Sequence, residues 1–277
     1  YSSAASDVYK RQVWWCRQHP EETVKIRKED GTITEFFAYT NRNQPNPAPS
    51  WASELWRRDT LAALEKLIRH VETSPYADRV AGYHLGSGPT DEWLLWTDRK
   101  QGGRSDFSTP NIRKFRAWLR EKYGSDEALR RAWNNAAVTL DTAEIPDTRS
   151  RETSRFGILR HPRLEQQVID YSRYTSDLTA ETILLFTRAA RRMTGGRKAI
   201  GVFYGYLMYI PERQDEGHFS LGKELADDSI DFLASPSSYR FRQTGGAGTS
   251  HFMTPVGSVR LHGKLWIDEN DIRTSIS

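Results

Sequence analysis

Residues 198–204 read KAIGVFY, an apolar run of β-branched and aromatic residues that follows the glycine pair Gly195-Gly196. Such a run is typical of a strand that is buried on both faces. Apolar residues at steps of three, four and seven precede it and predict a helix from about Leu164 to Met193. A helix followed by an apolar strand indicates parallel strands covered by helices.

Three more apolar runs predict strands of the same kind: RVAGYHL at 79–85, IDFLA at 230–234 and KLWID at 264–268. Polar or aromatic residues follow each of them, and in (β/α) barrels the functional groups gather at these carboxyl ends. The structural alternative is a doubly wound sheet, which usually carries a glycine-rich phosphate loop after a strand. The segment Gly86-Ser87-Gly88 lacks the third glycine of that loop, so the pattern favours a barrel.

Composition excludes several classes of protein. The 277 residues are 37% hydrophobic and carry a formal charge of +4 without a long Lys/Arg run, so we expect no nucleic-acid partner. The longest apolar runs fall short of the ~18–20 residues of a membrane span, so we expect no membrane partner. The single cysteine, Cys16, excludes a disulfide framework and a cysteine-based zinc site. An aromatic content of 12% suits a sugar-binding cleft as well as a large core.

Metal and serine-nucleophile chemistry find little support. The seven histidines are scattered and none has the HxxxH spacing of a metal site, so we expect neither metal nor cofactor. Ser87 lies in the sequence Gly86-Ser87-Gly88, which does not have the Gly-x-Ser-x-Gly spacing of a serine hydrolase.

Two acidic clusters lie just past predicted strands, Asp-Glu-Trp at 91–93 and Asp-Glu-Asn-Asp at 268–271. Glycoside hydrolysis requires two facing carboxyl groups, of which one protonates the leaving oxygen and the other attacks the sugar or activates water. Strand alternation places Leu265, Ile267 and Glu269 on one side, with Glu269 nearest the open end. Helix caps or solvated loop charges remain the alternative interpretation of both clusters.

Besides Glu92 and Glu269, several polar and aromatic residues near the strand ends are candidates for contact with a sugar. They are Asp91, Trp93, Tyr204, Tyr206, Tyr239, Trp266, Asp271 and Arg273. Arg273 is placed to hold Asp271 or Glu269 ionised by charge pairing, and a plain surface ion pair is the alternative.

Several segments together resemble glycoside hydrolase family 42, the β-galactosidases of a retaining clan with a (β/α)8 barrel. They are PSWASELWRRDTLAALEKLIRHVE at 49–72, RVAGYHLGSGPTDEW at 79–93, FRAWLREKYGSDEALRRAW at 115–133 and KLWIDENDIRT at 264–274. The resemblance covers most of 13–277 and implies an α/β fold, a partial (β/α)8 TIM barrel with about strands four to seven and their helices, truncated at both ends. Residues 1–12 resemble a translated sequencing adapter, and we expect them to lie outside the fold.

The resemblance implies a role for each glutamate: Glu92 as acid/base and Glu269 as nucleophile, about 5–5.5 Å apart, on terminal β-galactosides. We expect the isolated fragment to be inactive. Asp91 stands where the clan usually has Asn, which leaves the sugar specificity open. The alternatives are a β-glycosidase of different sugar specificity and a non-catalytic carbohydrate-binding barrel. The resemblance also leaves open a homo-oligomer of the full-length parent. The sequence leaves the compartment unknown, and the cytoplasm is our expectation.

Overall fold

The computed structural model describes residues 13–39, 45–88, 91–95, 103–154, 159–209, 216–237 and 252–269. The chain forms two compact units. The first comprises Tyr1–Asp59 and Trp96–Thr175, and the second comprises Thr60–Leu95 and Ser176–Ser277.

The described residues contain nine strands and eight α-helices. The strands are β1 (Lys25–Lys28), β2 (Ile33–Glu35), β3 (Phe37–Tyr39), β4 (Pro45–Pro47), β5 (Gly82–Leu85), β6 (Gly103–Ser105), β7 (Ala199–Phe203), β8 (Phe232–Pro236) and β9 (Leu265–Glu269). The helices are α1 (13–18), α2 (Glu54–Glu72), α3 (Thr109–Tyr123), α4 (Asp126–Trp133), α5 (Thr148–Glu152), α6 (Gln166–Met193), α7 (Leu221–Leu225) and α8 (Val256–Leu261). In this part of the chain, every helix is too short or too polar to cross a membrane.

The second unit contains a four-stranded sheet in the order β5-β7-β8-β9, and all three strand pairs are parallel. Each strand therefore pairs with the next parallel strand along the chain, and helices lie between them in sequence. This is the strand order of a (β/α)8 barrel. The prediction of an α/β fold with a partial TIM barrel is confirmed.

The side of this sheet that faces the helices is apolar. Ile200 of β7 packs with Ile68 of α2 and Ala190 of α6, and Tyr83 and Leu85 of β5 join the same cluster. Ile200 and its two helical partners are fully buried. Since neighbouring residues of a strand point to opposite sides, the alternate residues form the barrel-interior side.

The barrel-interior side carries the rings of His84, Phe203 and Phe232. The His84 ring lies 4.2 Å from that of Phe203 and 5.5 Å from that of Phe232, measured between centroids. Gly201 lies between them, where a Cβ atom would stand 2.1 Å from the Phe232 ring. The register pairs Phe232 with Leu265 of β9, so Leu265, Ile267 and Glu269 share this side, as the predicted alternation requires.

The four predicted strands are present with shifted bounds. The first begins at Gly82, because Ala77–Arg79 forms a 3-10 turn, and the β8 strand begins two residues later than predicted. Just before β8, the Asp231 carboxylate accepts the Ile200 N–H at 2.7 Å, and the Asp231 backbone bonds to Ile200 and Leu265.

Helix α2 begins later, and with a different N-cap residue, than the sequence predicts. The sequence predicts a start at Trp51 with Ser50 as N-cap, but the helix begins at Glu54. The Ser53 hydroxyl accepts the Trp56 N–H at 3.0 Å and is the capping group. The Ser50 hydroxyl instead donates to Asp106 at 2.6 Å.

One buried carboxylate, Asp170, organises the helices of the first unit. It is 0% exposed and accepts Tyr123 Oη at 2.6 Å, Trp133 Nε1 at 2.7 Å and Gln166 Nε2 at 2.7 Å. Lys122 forms an ion pair with the same carboxylate. Lys122, Tyr123 and Trp133 of the segment 115–133 therefore converge on one acceptor, and their role is structural.

Candidate active site

The loop after β5 folds back onto the end of its own strand. The Trp93 indole donates to the Leu85 carbonyl at 2.9 Å, and the Trp93 N–H donates to the Ser87 carbonyl at 2.8 Å. Trp93 has a φ of 56° and Asp91 a φ of 63°. At Gly86 a Cβ atom would lie 2.7 Å from the Asp91 Cβ, so only glycine fits there. These contacts in the loop 86–93 fix the backbone on both sides of Glu92.

The Glu92 carboxylate lies against the neighbouring strand end. Tyr206, which follows β7 and is 3% exposed, donates its hydroxyl to Glu92 Oε1 at 2.9 Å. Glu92 itself is half-buried. The hydrogen bond thus anchors the Glu92 carboxyl group near the carboxyl ends of two adjacent parallel strands.

A buried histidine joins the two segments that meet at Glu92. His218 Nδ1 accepts the Tyr206 backbone N–H at 3.2 Å, and its Nε2 lies 3.2 Å from the Trp93 carbonyl oxygen. Since a backbone N–H can only donate, Nδ1 carries no proton. Nε2 therefore holds the proton and donates to Trp93, which defines the neutral Nε2–H tautomer. From the sequence alone, His218 has no predicted role and is one of seven scattered histidines.

The second candidate carboxyl group, Glu269, is the last residue of β9. It is half-buried and lies on the barrel-interior side, after Leu265 and Ile267. Trp266 and Asp268 point to the other side of the sheet. Glu269 thus stands at the carboxyl end of its strand, where barrel enzymes carry their functional groups.

Glu92 and Glu269 belong to the same end of the same sheet. β5 and β9 are its outer strands, with β7 and β8 between them. In a closed barrel the carboxyl ends of all strands form one rim, so groups on non-adjacent strands face each other across it. A separation of about 5–5.5 Å between the two carboxyl groups remains a prediction.

Two aromatic residues predicted to contact sugar are packing residues instead. Trp93 is 1% exposed and its ring lies 6.1 Å from that of Phe186 on α6. Tyr204 is 0% exposed and donates its hydroxyl to the Gly217 carbonyl at 2.8 Å. Neither ring has a free face for a sugar. The positive φ at Trp93, which turns its indole back to Leu85, is not visible in the amino-acid pattern.

Trp266 also departs from the expected role. Its position in β9 points toward the helix-facing side, its Nε1 donates to the Ser235 hydroxyl at 3.2 Å, and its ring lies 4.1 Å from that of Phe252. Tyr206 is buried as the partner of Glu92, so its hydroxyl acts on that carboxylate. The predicted substrate contacts of Trp266 and Tyr206 are replaced by contacts within the protein.

Asp91 is the predicted sugar contact that remains exposed. Desolvation of its carboxyl group, and then the charge of the adjacent Glu92, raise the pKa of Asp91 above its usual value. The other three candidates, Tyr239, Asp271 and Arg273, lie outside the described residues.

The described residues offer neither a reactive thiol nor a metal-binding cluster. Cys16 is buried, and burial raises the pKa of its thiol to about 12, which keeps it protonated and unreactive at neutral pH. Among the residues that the structure describes, no three His, Cys, Asp or Glu side chains are grouped so as to hold a metal ion.

Solved structures share this fold. The catalytic domain of a β-amylase from Paenibacillus polymyxa matches with a TM-score of 0.66 and 15% identity over 94% of this chain and 64% of its own. A β-galactosidase from the psychrophilic Marinomonas ef1 matches with a TM-score of 0.52 and 20% identity over 81% of this chain and 29% of its own. One from Bacillus circulans sp. alkalophilus has a TM-score of 0.52 and 17% identity, covering 84% and 29%.

These likenesses show the fold, and the chain spans about three tenths of the length of the two β-galactosidases. The sequence also matches a family model, described as β-galactosidase, over residues 11–244. That match covers most of the chain and includes Glu92, Tyr206 and His218. The chain belongs to glycoside hydrolase family 42.

Proposed function

We propose that this chain carries the catalytic carboxyl groups of a retaining glycoside hydrolase that removes terminal β-galactosyl residues. The observation that carries the proposal is the placement of Glu92, held by Tyr206, at the same end of the parallel sheet as Glu269. Membership of the β-galactosidase family supports the choice of sugar.

The first step uses both glutamates. The Glu269 carboxylate attacks the anomeric carbon and forms a covalent bond to the sugar as the glycosidic C–O bond breaks. Glu92 gives its proton to the leaving oxygen, so the aglycone departs as a neutral alcohol. Tyr206 then stabilises the carboxylate that remains on Glu92, because its hydroxyl donates to Oε1.

The second step returns the enzyme to its starting state. Glu92, now a carboxylate, takes a proton from a water molecule that attacks the anomeric carbon. The bond between Glu269 and the sugar breaks, galactose leaves with the anomeric configuration it had in the substrate, and Glu269 is again a carboxylate. Both glutamates are thereby restored.

A covalent trap tests the nucleophile. Because the chain spans about three tenths of its β-galactosidase matches, the assay compares the 277-residue chain with the longest open reading frame that contains it. An activated 2-deoxy-2-fluoro-β-galactoside is expected to add one fluorogalactosyl group to the peptide that contains Glu269, as read by mass spectrometry. Glu269→Ala abolishes the label. Labelling of another residue, or saturable binding of galactosides by the longest frame without label or turnover, contradicts the proposal.

A kinetic comparison tests the acid/base. Glu92→Ala is expected to lower kcat/KM on an alkyl β-galactoside by about 10²–10⁴-fold, and far less on a dinitrophenyl β-galactoside whose leaving group needs no proton. Glu127→Ala, a surface change on α4, is the matched control and is expected to leave both rates unchanged. Equal losses on both substrates would remove Glu92 from this role. A preference for aryl β-glucosides over β-galactosides would revise the sugar while keeping the mechanism.

A further inference from the structure

We propose that His218 is a positioning residue for the acid/base: it sets the distance between the Tyr206 hydroxyl and the Glu92 carboxylate without touching the sugar. This inference rests on the proposed function of Glu92. It concerns a residue with no predicted role, on the segment 216–218 that precedes α7.

The hydrogen bonds of His218 define the role. Its Nδ1 holds the backbone of Tyr206 and its Nε2 holds the carbonyl of Trp93, both at 3.2 Å. Tyr206 is the donor to Glu92, and Trp93 is the residue directly after Glu92. The imidazole therefore closes a ring of contacts that runs from Glu92 through Tyr206 and Trp93 back to Glu92.

The surroundings of the imidazole hold it in one orientation. His218 is 4% exposed, and its ring lies 4.6 Å from the ring of Tyr204 and 4.8 Å from that of Tyr206. Gly217, directly before it, has a φ of 93°, and a Cβ atom there would lie 2.4 Å from Thr179 Oγ1. The backbone before His218 thus follows a path that favours glycine and leaves the ring little freedom.

A second backbone tie supports the same loop. The Leu95 N–H donates to the Glu216 carbonyl at 3.1 Å, two residues from each end of the His218–Trp93 bond. Segments 93–95 and 216–218 are therefore joined at two points. Loss of the two His218 hydrogen bonds would leave segments 93–95 and 216–218 joined through Leu95 and Glu216. The Glu92 carboxylate would then be free to shift relative to the Tyr206 hydroxyl. Proton delivery is sensitive to such small displacements.

The test uses graded substitutions of His218 in the longest frame with galactosidase activity. His218→Phe keeps the ring and removes both hydrogen bonds. His218→Asn retains an acceptor near Nδ1, and His218→Gln retains a donor near Nε2. We expect kcat/KM on the alkyl β-galactoside to fall about 10–100-fold in the Phe variant, with a change below about threefold on the dinitrophenyl β-galactoside. The Asn and Gln variants are expected to recover part of the loss.

A buried hydrogen bond away from Glu92 provides the control. Thr187 Oγ1 and Ser229 Oγ lie 2.8 Å apart in the same unit, and both residues are buried. Thr187→Val is expected to lower thermal stability to a similar degree as His218→Phe, with the same small effect on both substrates. If His218→Phe also lowers both rates equally, the residue is only structural and the inference is overturned.

A spectroscopic readout is independent of turnover. Nitrogen-15 chemical shifts of His218 at neutral pH are expected to identify a protonated Nε2 and an unprotonated Nδ1. Detection of the opposite tautomer would show that His218 Nδ1 does not accept the Tyr206 N–H, and would overturn the inference. Failure of the proposed function is distinct: Glu92→Ala would then show no dependence on the leaving group. If Glu92→Ala shows that dependence and His218→Phe does not, only the positioning role fails.

Discussion

The Asp170 cluster of the first unit and the Glu92 site of the second unit both pair a carboxylate with a tyrosine hydroxyl, and the two carboxylates differ in burial. Asp170 is 0% exposed and accepts Tyr123, Trp133 and Gln166 beside its ion pair with Lys122. Glu92 is half-buried and accepts Tyr206.

The difference shows how a carboxylate is kept structural or left available for chemistry. Two carboxylate oxygens offer about four acceptor positions, and the donors around Asp170 fill most of them and include a charged amine. Such a group has no room to exchange a proton with a substrate. At Glu92 the Tyr206 hydroxyl anchors one carboxylate oxygen, and under the proposed function the half-buried side chain exchanges its proton with a substrate.

Removal of the Asp170 carboxylate is expected to have the largest effect on stability. Asp170→Ala leaves the Lys122 charge and the Tyr123 and Trp133 donors without their buried acceptor, and should lower the free energy of unfolding by about 3–5 kcal/mol. Urea unfolding measures it. Asp141→Ala, which removes a largely exposed ion pair with Arg120, is the control at about 0–1 kcal/mol. A loss below about 1 kcal/mol for Asp170→Ala would contradict the structural role of the Asp170 carboxylate.

Glu224 extends the comparison to a fully buried carboxyl group. It is 0% exposed, and among the described residues neither of its oxygens has a hydrogen-bond partner. Burial, and then the charge of Asp227, raise the pKa of Glu224 well above its ordinary 4.5. The folded protein therefore holds a proton that the unfolded chain releases above that pH.

The sign of the pH dependence follows from this proton. As pH rises from 4.5 toward the raised pKa, the Glu224 proton should make the free energy of unfolding fall by about 1.4 kcal/mol per pH unit. Glu224→Gln should remove that contribution, so the variant gains stability relative to the native protein between pH 4.5 and 7. Urea unfolding at several pH values gives the slopes, and parallel slopes for the two proteins would show that Glu224 is ionised when folded.

The two tyrosines give the smallest and most direct test. Tyr123→Phe removes a donor to a buried charge and should cost about 1.5–3 kcal/mol of stability. Tyr206→Phe should cost less, because a half-buried Glu92 can be solvated, but should slow the alkyl β-galactoside about tenfold. Urea unfolding measures the loss of stability in both variants, and kcat/KM on the alkyl β-galactoside measures the loss of activity. The reverse pattern, with Tyr123→Phe slowing turnover and Tyr206→Phe leaving it intact, would exchange the two roles.

The strands and the direction of Glu269 could be predicted from sequence, because both depend on local patterns. Runs such as KAIGVFY at 198–204 report burial on two faces, and alternation within β9 correctly grouped Glu269 with Leu265 and Ile267. Strand bounds moved by up to three residues, since a turn such as Ala77–Arg79 shortens a strand without changing the apolar character of its sequence.

The partners of the site could not be predicted, because they are distant in the chain. Tyr206 lies 114 positions from Glu92, and His218 lies 125 from Trp93. The aromatic character of Trp93 and Tyr204 suggested sugar contact, but the same character suits a core, and the backbone direction at the strand end decides between the two. A glycine directly before His218 was the one local sign of a constrained backbone there.

The convergence of Lys122, Tyr123 and Trp133 on Asp170 gives these side chains a role that does not depend on a substrate. A variant of this chain that loses the Glu92 carboxyl group would keep every contact that brings these helices together. The bond between Tyr206 and Glu92 instead joins two segments of the second unit. Retention of the helical residues in a sequence would therefore indicate this fold, whereas only the residues around Glu92 bear on the proposed acid/base.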